Sequence, residues 1–246
     1  MNARLFAPDP IDFFDPTPYS LIEYQGHMIV GTIWFVAALF AFYARKGSPL
    51  HVRAGQVCIV TVLTVAITAV VMLAVEMVPP LALNAVTSSY AVVTAWLALK
   101  PSTSRVKMAE YSLTAVEIAA LGLFLMLALP NVLSGTVPLI GPGIVVLVPL
   151  ILITGDINFF ARPKERARLR VQRHLARMVW AFVIVLRAPL VEFETAGFYD
   201  LPDPLLVAGP VLLGLVMLAF FQRRYGSLRG AVQKPSAASS RSTVPR

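Results

Sequence analysis

The chain has few side chains able to do chemistry, and most of them fall at the edge of an apolar run or inside one. Its three histidines are His27, His51 and His174. An imidazole can ligate a metal, cap a helix or carry a proton near neutral pH. His51 stands at the start of one apolar segment, in "SPLHVRAGQV", and His174 holds the matching place in "RVQRHLARMVWAF". Asp156 closes another such segment, so the sequence predicts that His51, Asp156 and His174 gather at one mouth of the molecule as a ligand or proton site. His27 opens the first apolar run and joins these candidates. Glu117, in "SLTAVEIAALGLFL", is a carboxylate amid apolar residues with no basic neighbour on its own segment. A group so placed keeps its proton or finds a partner on another element, and inside lipid it is functional by default. Arg187, in "VLRAPLVEF", reads as half of an intramembrane ion pair whose other half is Glu76 or Glu192.

The signatures of common enzymes are missing from the sequence: there is no CxxC, HExxH, GxSxG, GxxxxGK or GxGxxG. No catalytic residue and no metal-ligand set is assigned, and a non-enzymatic protein is expected. The single cysteine, Cys58, lies within an apolar run and reads as a small buried hydrophobe. A retinal Schiff base would need a lysine in the last apolar segment, and 204–222 contains none. Membrane hydrolases of the ceramidase type need histidines clustered at HxxxH spacing, which three isolated ones do not supply. The cofactor reading that survives is haem b held between His51 and His174, which requires the two rings to face each other across iron. Apart from that alternative, no cofactor is expected.

The elements that must position these groups are helices in lipid. The chain is 57% hydrophobic and 14% charged, against roughly 25% charged in soluble domains. A spanning helix needs about 20 mostly apolar residues, and seven segments qualify, near 27–44, 54–76, 81–99, 109–129, 139–158, 175–191 and 204–222. The expected fold is therefore an all-α bundle of seven transmembrane helices over residues 26–225. A short tail, 1–25, precedes it and fails as a signal peptide for want of an apolar core. The polar, Ser- and Pro-containing stretch 226–246 reads as a disordered cytoplasmic tail.

Charge then orients the bundle. Nineteen of the 21 lysines and arginines fall on one set of connections and the C-terminus, while the other side holds nine acids against Arg4 and Arg187. That segregation is the positive-inside rule, so the N-terminus is expected outside and the C-terminus in the cytoplasm of a cell inner membrane. The net charge of +8 thereby belongs to orientation and to anionic headgroups of the lipid bilayer. It does not indicate nucleic acid.

On a helical wheel Arg166, Arg170, Arg173 and Arg177 recur at spacings of four, three and four, a single cationic stripe. Val171, Leu175, Met178 and Phe182 form an apolar stripe turned away from it. The segment reads as an amphipathic helix lying on the inner leaflet before it dives, with His174 on the seam, as a capping residue or a ligand.

The stretches "GHMIVGTIWFVAALFAFYARKGSPLHVRAGQV" and "GDINFFARPKERARLRVQRHLARMVWAF" resemble an uncharacterised bacterial family of polytopic membrane proteins, the domain of unknown function 2306 type. The positions carrying the resemblance are His27, Gly31, Leu50, His51, Gly55, Asp156, His174, Arg177 and Met178. Val52, Gln56, Ala176 and Arg187 depart from the pattern, and the family has no established activity to lend. Three readings follow for the whole chain. The first is binding or translocation of a small molecule or ion through a polar site in the bundle. The second is a haem- or quinone-linked redox protein using His51 and His174. The third is a membrane sensor or assembly partner whose contact surfaces are the basic helix and the C-terminal tail.

Overall fold

The computed structural model describes residues 11, 12, 14–195 and 197–226. They form seven helices: α1 (Leu21–Tyr43), α2 (Pro49–Val75), α3 (Pro79–Ala98), α4 (Ser104–Leu133), α5 (Ile140–Phe160), α6 (Arg166–Thr195) and α7 (Asp203–Gly226). A single 3-10 turn, Pro163–Glu165, joins α5 to α6. Among the described residues there is no strand.

Every apolar segment of the sequence is a helix, and several begin earlier than their apolar cores because polar residues cap them. Ser20 and Glu23 satisfy each other's backbone N–H groups in a capping box, so α1 starts inside the stretch read as the tail 1–25. His27 consequently sits in its second turn instead of opening it. Ser48 accepts from the His51 N–H with Pro49 in the first turn of α2, and Thr103 accepts from the Val106 N–H to start α4. Of the expected tail 226–246, Gly226 closes α7 and 227–246 lie outside the described residues, as do residues 1–10.

The bundle is inside out relative to a protein in water. Val60 is 65% and Met126 76% exposed, whereas Glu110, Glu117 and Asp156 are fully buried. Broad apolar faces turned outward, with carboxylates turned inward, suit hydrocarbon surroundings. Six helices, α1 to α6, are long and apolar enough to cross a membrane.

α3 is the central element, packed against α2, α4, α5 and α6. α1, α2, α3 and α6 close into a four-membered ring in which α2 and α6 stand diagonally. Their shared core contains Trp34, Cys58, Tyr90, Ala91, Trp180 and Phe182. α7 lies on α6, where Gly214 allows close approach: a Cβ there would meet Val183 Cγ2 at 2.6 Å. Alternation of helix direction brings the ends bearing Lys46, His51, Glu110, Asp156, Arg166 and Arg223 to one pole, hereafter the basic end.

Candidate functional site: a buried arginine network and the cleft beside it

Helical phase sets the centre of the site. On α6, Arg166, Arg173 and Arg177 share a face, and that face turns into the bundle. Arg177 is 2% exposed, while Val171 on the expected apolar stripe is 50% exposed. The amphipathic helix read as lying on the inner leaflet is therefore rotated relative to expectation, and its arginines pack inward. Arg170 alone of the four stays exposed.

The cause lies on neighbouring helices. Glu110, in the second turn of α4, accepts from both Arg166 and Arg173. Asp156, near the end of α5, receives Arg173 Nε at 2.9 Å, with Nη2 at 2.8 Å, and also pairs with Arg177. Its second oxygen accepts from the Tyr90 hydroxyl at 2.5 Å and from Thr114 at 2.9 Å. Arg177 further donates to Thr94 and to the Leu152 carbonyl. Aromatic faces complete the lining: Phe159 lies 4.3 Å from the Arg173 guanidinium and Tyr90 4.7 Å from that of Arg177. Buried charges survive only with such thorough pairing, since removing one partner from a buried pair costs about 3–5 kcal/mol.

Three guanidiniums against two carboxylates leave the network one positive charge in excess. Directly beside it, between α5, α6 and α7, opens a cleft of about 740 Å³. Arg173 and Arg177 form part of its wall, joined by Arg162 and Arg223, and three amides, Asn158, Gln172 and Gln222, add neutral donors and acceptors. No carboxylate lines it. Apolar surface is added by Leu152 and Trp180, both buried, and by Ala219. Such a cleft can hold an anion at one end and an apolar group at the other.

The expected cluster at one mouth is resolved into two separate sites. Asp156 belongs to the arginines. His51 and His174 do approach each other, with ring centroids 6.5 Å apart and planes at 82°. His51 Nδ1 meets the Ala41 carbonyl at 2.9 Å, and His174 Nδ1 meets the Ala95 carbonyl at 3.0 Å. Both acceptors lie in the last turn of their helices, α1 and α3, where carbonyls have no intrahelical donor. Each histidine is thus a cap, and His174 turns inward from the seam toward α3. Lys46 shares the duty at α1, donating to the Ala41 and Phe42 carbonyls.

The remaining candidates are scattered. His27 Nδ1 is paired with the Thr68 hydroxyl at 2.8 Å, toward the opposite end from the other histidines. Glu117 is fully buried on α4 and accepts from Thr87 of α3 at 2.6 Å, while its Oε2 has no partner among the described residues. The cation whose charge reaches it is Arg177. The expected pairing of Arg187 with Glu76 is not formed: Glu76 is exposed and accepts from the Tyr19 hydroxyl at 3.5 Å. The side chain of Glu192 lies outside the described residues. Arg187 instead lines a narrow crevice with Asn84, Thr87 and Pro149.

Sequence reading passed over Glu110, Tyr90, Thr94 and Thr114. A signal was present: Glu110, Thr114 and Glu117 recur at spacings of four and three, a polar stripe along an otherwise apolar helix. No protein-family model, no curated protein and no solved structure matches this chain.

Proposed function

We propose that this chain is a seven-span membrane protein of a bacterial-type inner membrane that binds, and carries through the bundle, a small anionic molecule entered from the basic end. In this reading the basic end is cytoplasmic and α7 is the seventh span. The observation that carries the reading is the lining of the cleft, where four guanidiniums and three amides meet without a carboxylate. Arg173 and Arg177 are held by Glu110 and Asp156, so they meet a ligand already ordered, and the entropy of ordering them is not charged to binding. Leu152, Trp180 and Ala219 in the same lining favour an acidic amphiphile over a bare inorganic anion. Deeper passage would use Glu117, Thr87 and the crevice at Arg187.

The test uses detergent-purified protein. Phosphatidylglycerol added at constant ionic strength raises the thermal midpoint, phosphatidylcholine does not, and the Arg162→Gln, Arg223→Gln double variant loses the rise. Equal effects of the two lipids and no response to inorganic phosphate would overturn anion binding. For carriage, vesicles containing Glu117→Gln take up less of a fluorescent acidic lipid analogue than wild type. Unchanged uptake takes Glu117 out of the path.

A further inference from the structure

The His51 and His174 pair is not explained by the cleft. Helix capping accounts for one nitrogen of each ring, because Nδ1 donates to a carbonyl. Donation from Nδ1 fixes the tautomer and leaves Nε2 as a bare lone pair. Neither Nε2 has a hydrogen-bond partner among the described residues, so each ring keeps an unused donor to a metal. A backbone carbonyl holding the far nitrogen of an imidazole is the arrangement that orients metal-ligating histidines and raises their basicity.

The spacing agrees. A metal–nitrogen bond is about 2.0–2.1 Å, and each ring's own radius adds roughly 1 Å, so one ion bound by both Nε2 atoms in line sets the centroids about 6 Å apart. The centroids here stand at 6.5 Å. The two rings come from α2 and α6, the diagonal pair of the four-helix ring, and their separation is fixed by α1 and α3 through the two capping bonds.

Charge and ligand count choose the ion. Imidazole suits copper, zinc, nickel and iron, and copper binds most tightly in that series. Zinc asks for four ligands, and no group of three His, Cys, Asp or Glu side chains occurs among the described residues. Monovalent copper accepts two nitrogens in line, and its single charge is the least addition beside Lys46, which is bound to the same Ala41 carbonyl as His51. Haem iron also needs just two imidazoles from the protein, but its macrocycle needs a slot. The layers one and two turns further in are filled by Ala38, Cys58, Ala91 and Ala181, each at most 2% exposed. The packing accommodates an ion there and not a porphyrin.

We infer that His51 and His174 form a two-imidazole site for a single monovalent copper ion at the basic end, separate from the anion cleft. The test loads anaerobic, detergent-purified full-length protein with Cu(I) and challenges it with a competing Cu(I) chelator. Wild type retains one copper per chain, and X-ray absorption reports two nitrogen neighbours. His51→Asn and His174→Asn are the deciding variants, because an asparagine amide can replace the Nδ1 donor to the carbonyl but supplies nothing at Nε2. Both remain monodisperse and helical and lose at least tenfold in copper retention. If both variants keep copper, or wild type loses it to the chelator, the inference fails. A Soret band in the protein as purified, abolished by His174→Asn, overturns it in favour of haem. None of these results bears on lipid-dependent stabilisation through Arg162 and Arg223, so the two sites stand or fall separately.

Discussion

Arg177 and Asp156 are paired inside the bundle, the arginine 2% exposed and the carboxylate not at all. Two charges in that position are costly unless each is held by further donors and acceptors. Tyr90, Thr94, Thr114 and the Leu152 carbonyl provide them. The pair also joins α5 to α6 and, through Tyr90 and Thr94, to α3.

From that geometry Asp156→Ala is expected to destabilise the protein by about 3–5 kcal/mol, because it leaves Arg177 in the core without a carboxylate and Arg173 with Glu110 alone. The double variant Asp156→Ala, Arg177→Met recovers part of the loss by removing one stranded charge. A double-mutant cycle on unfolding in detergent measures the coupling. Additive effects would show that the two side chains do not act as a pair.

Arg162 and Arg223 line the cleft but stand outside the buried network, and both are exposed. Replacing either with glutamine is expected to weaken binding of an acidic lipid by roughly threefold to tenfold, the weight of about 1 kcal/mol. The unfolding midpoint without lipid stays where it is. Titration by intrinsic fluorescence can follow this, since Trp180 lines the same cleft. A midpoint that falls in the absence of lipid would make these arginines structural.

How far the sequence went is clearest on α6. The spacing of Arg166, Arg173 and Arg177 gave one stripe, and one stripe is what the helix has. Its direction was not readable, because it depends on Glu110 and Asp156, which lie 56 and 17 residues away from their partners in sequence. An arginine stripe with no visible counter-charge reads as headgroup-facing, and the same stripe against two buried carboxylates reads the other way. Asp156 stands out in the sequence as a candidate, but its partners are arginines and not the histidines. The meeting of His51 and His174 depended likewise on the α2–α6 diagonal, which periodicity cannot reveal.

Lys46 supplies a dependence on pH. Partial burial, reinforced by the Arg224 charge, pulls its ammonium from 10.5 down to about 8. In the unfolded chain the group holds its proton to higher pH, so between about pH 8 and pH 10.5 the unfolded state binds more protons than the folded one. Stability therefore rises with pH across that window, and the penalty for the buried charge is fully present below it. Thermal midpoints of chelator-treated wild type should climb across the window relative to Lys46→Met, which lacks the group. Parallel curves would mean that Lys46 is solvated as an ordinary surface lysine.

Close packing of α6 on α7 gives a prediction about stability alone. At Gly214 an added Cβ would stand 2.6 Å from Val183 Cγ2 and 3.4 Å from Trp180. Overpacking of this kind costs about 1–3 kcal/mol, so Gly214→Ala should lower the unfolding midpoint, and Gly214→Leu should lower it further. Because Trp180 also lines the cleft, the alanine variant is expected to shift its fluorescence. An unchanged midpoint in both variants would show α7 free to move off α6.

Orientation is the prediction on which the direction of binding depends. Cys58 is the single cysteine and is completely buried, so it is silent toward a membrane-impermeant maleimide and the wild-type chain serves as its own background. Ser102 lies in the connection between α3 and α4 at the basic end, and Ser134 follows α4 at the other, and both are exposed. By the positive-inside rule, the excess of basic residues on the Ser102 side predicts that this side faces the cytoplasm. On intact cells the reagent should label Ser134→Cys and leave Ser102→Cys untouched, with both labelled after permeabilisation. The reverse pattern would put the cleft, with Arg162 and Arg223, on the outer face. The anion would then enter from outside, against the retention of basic loops that the charge distribution implies.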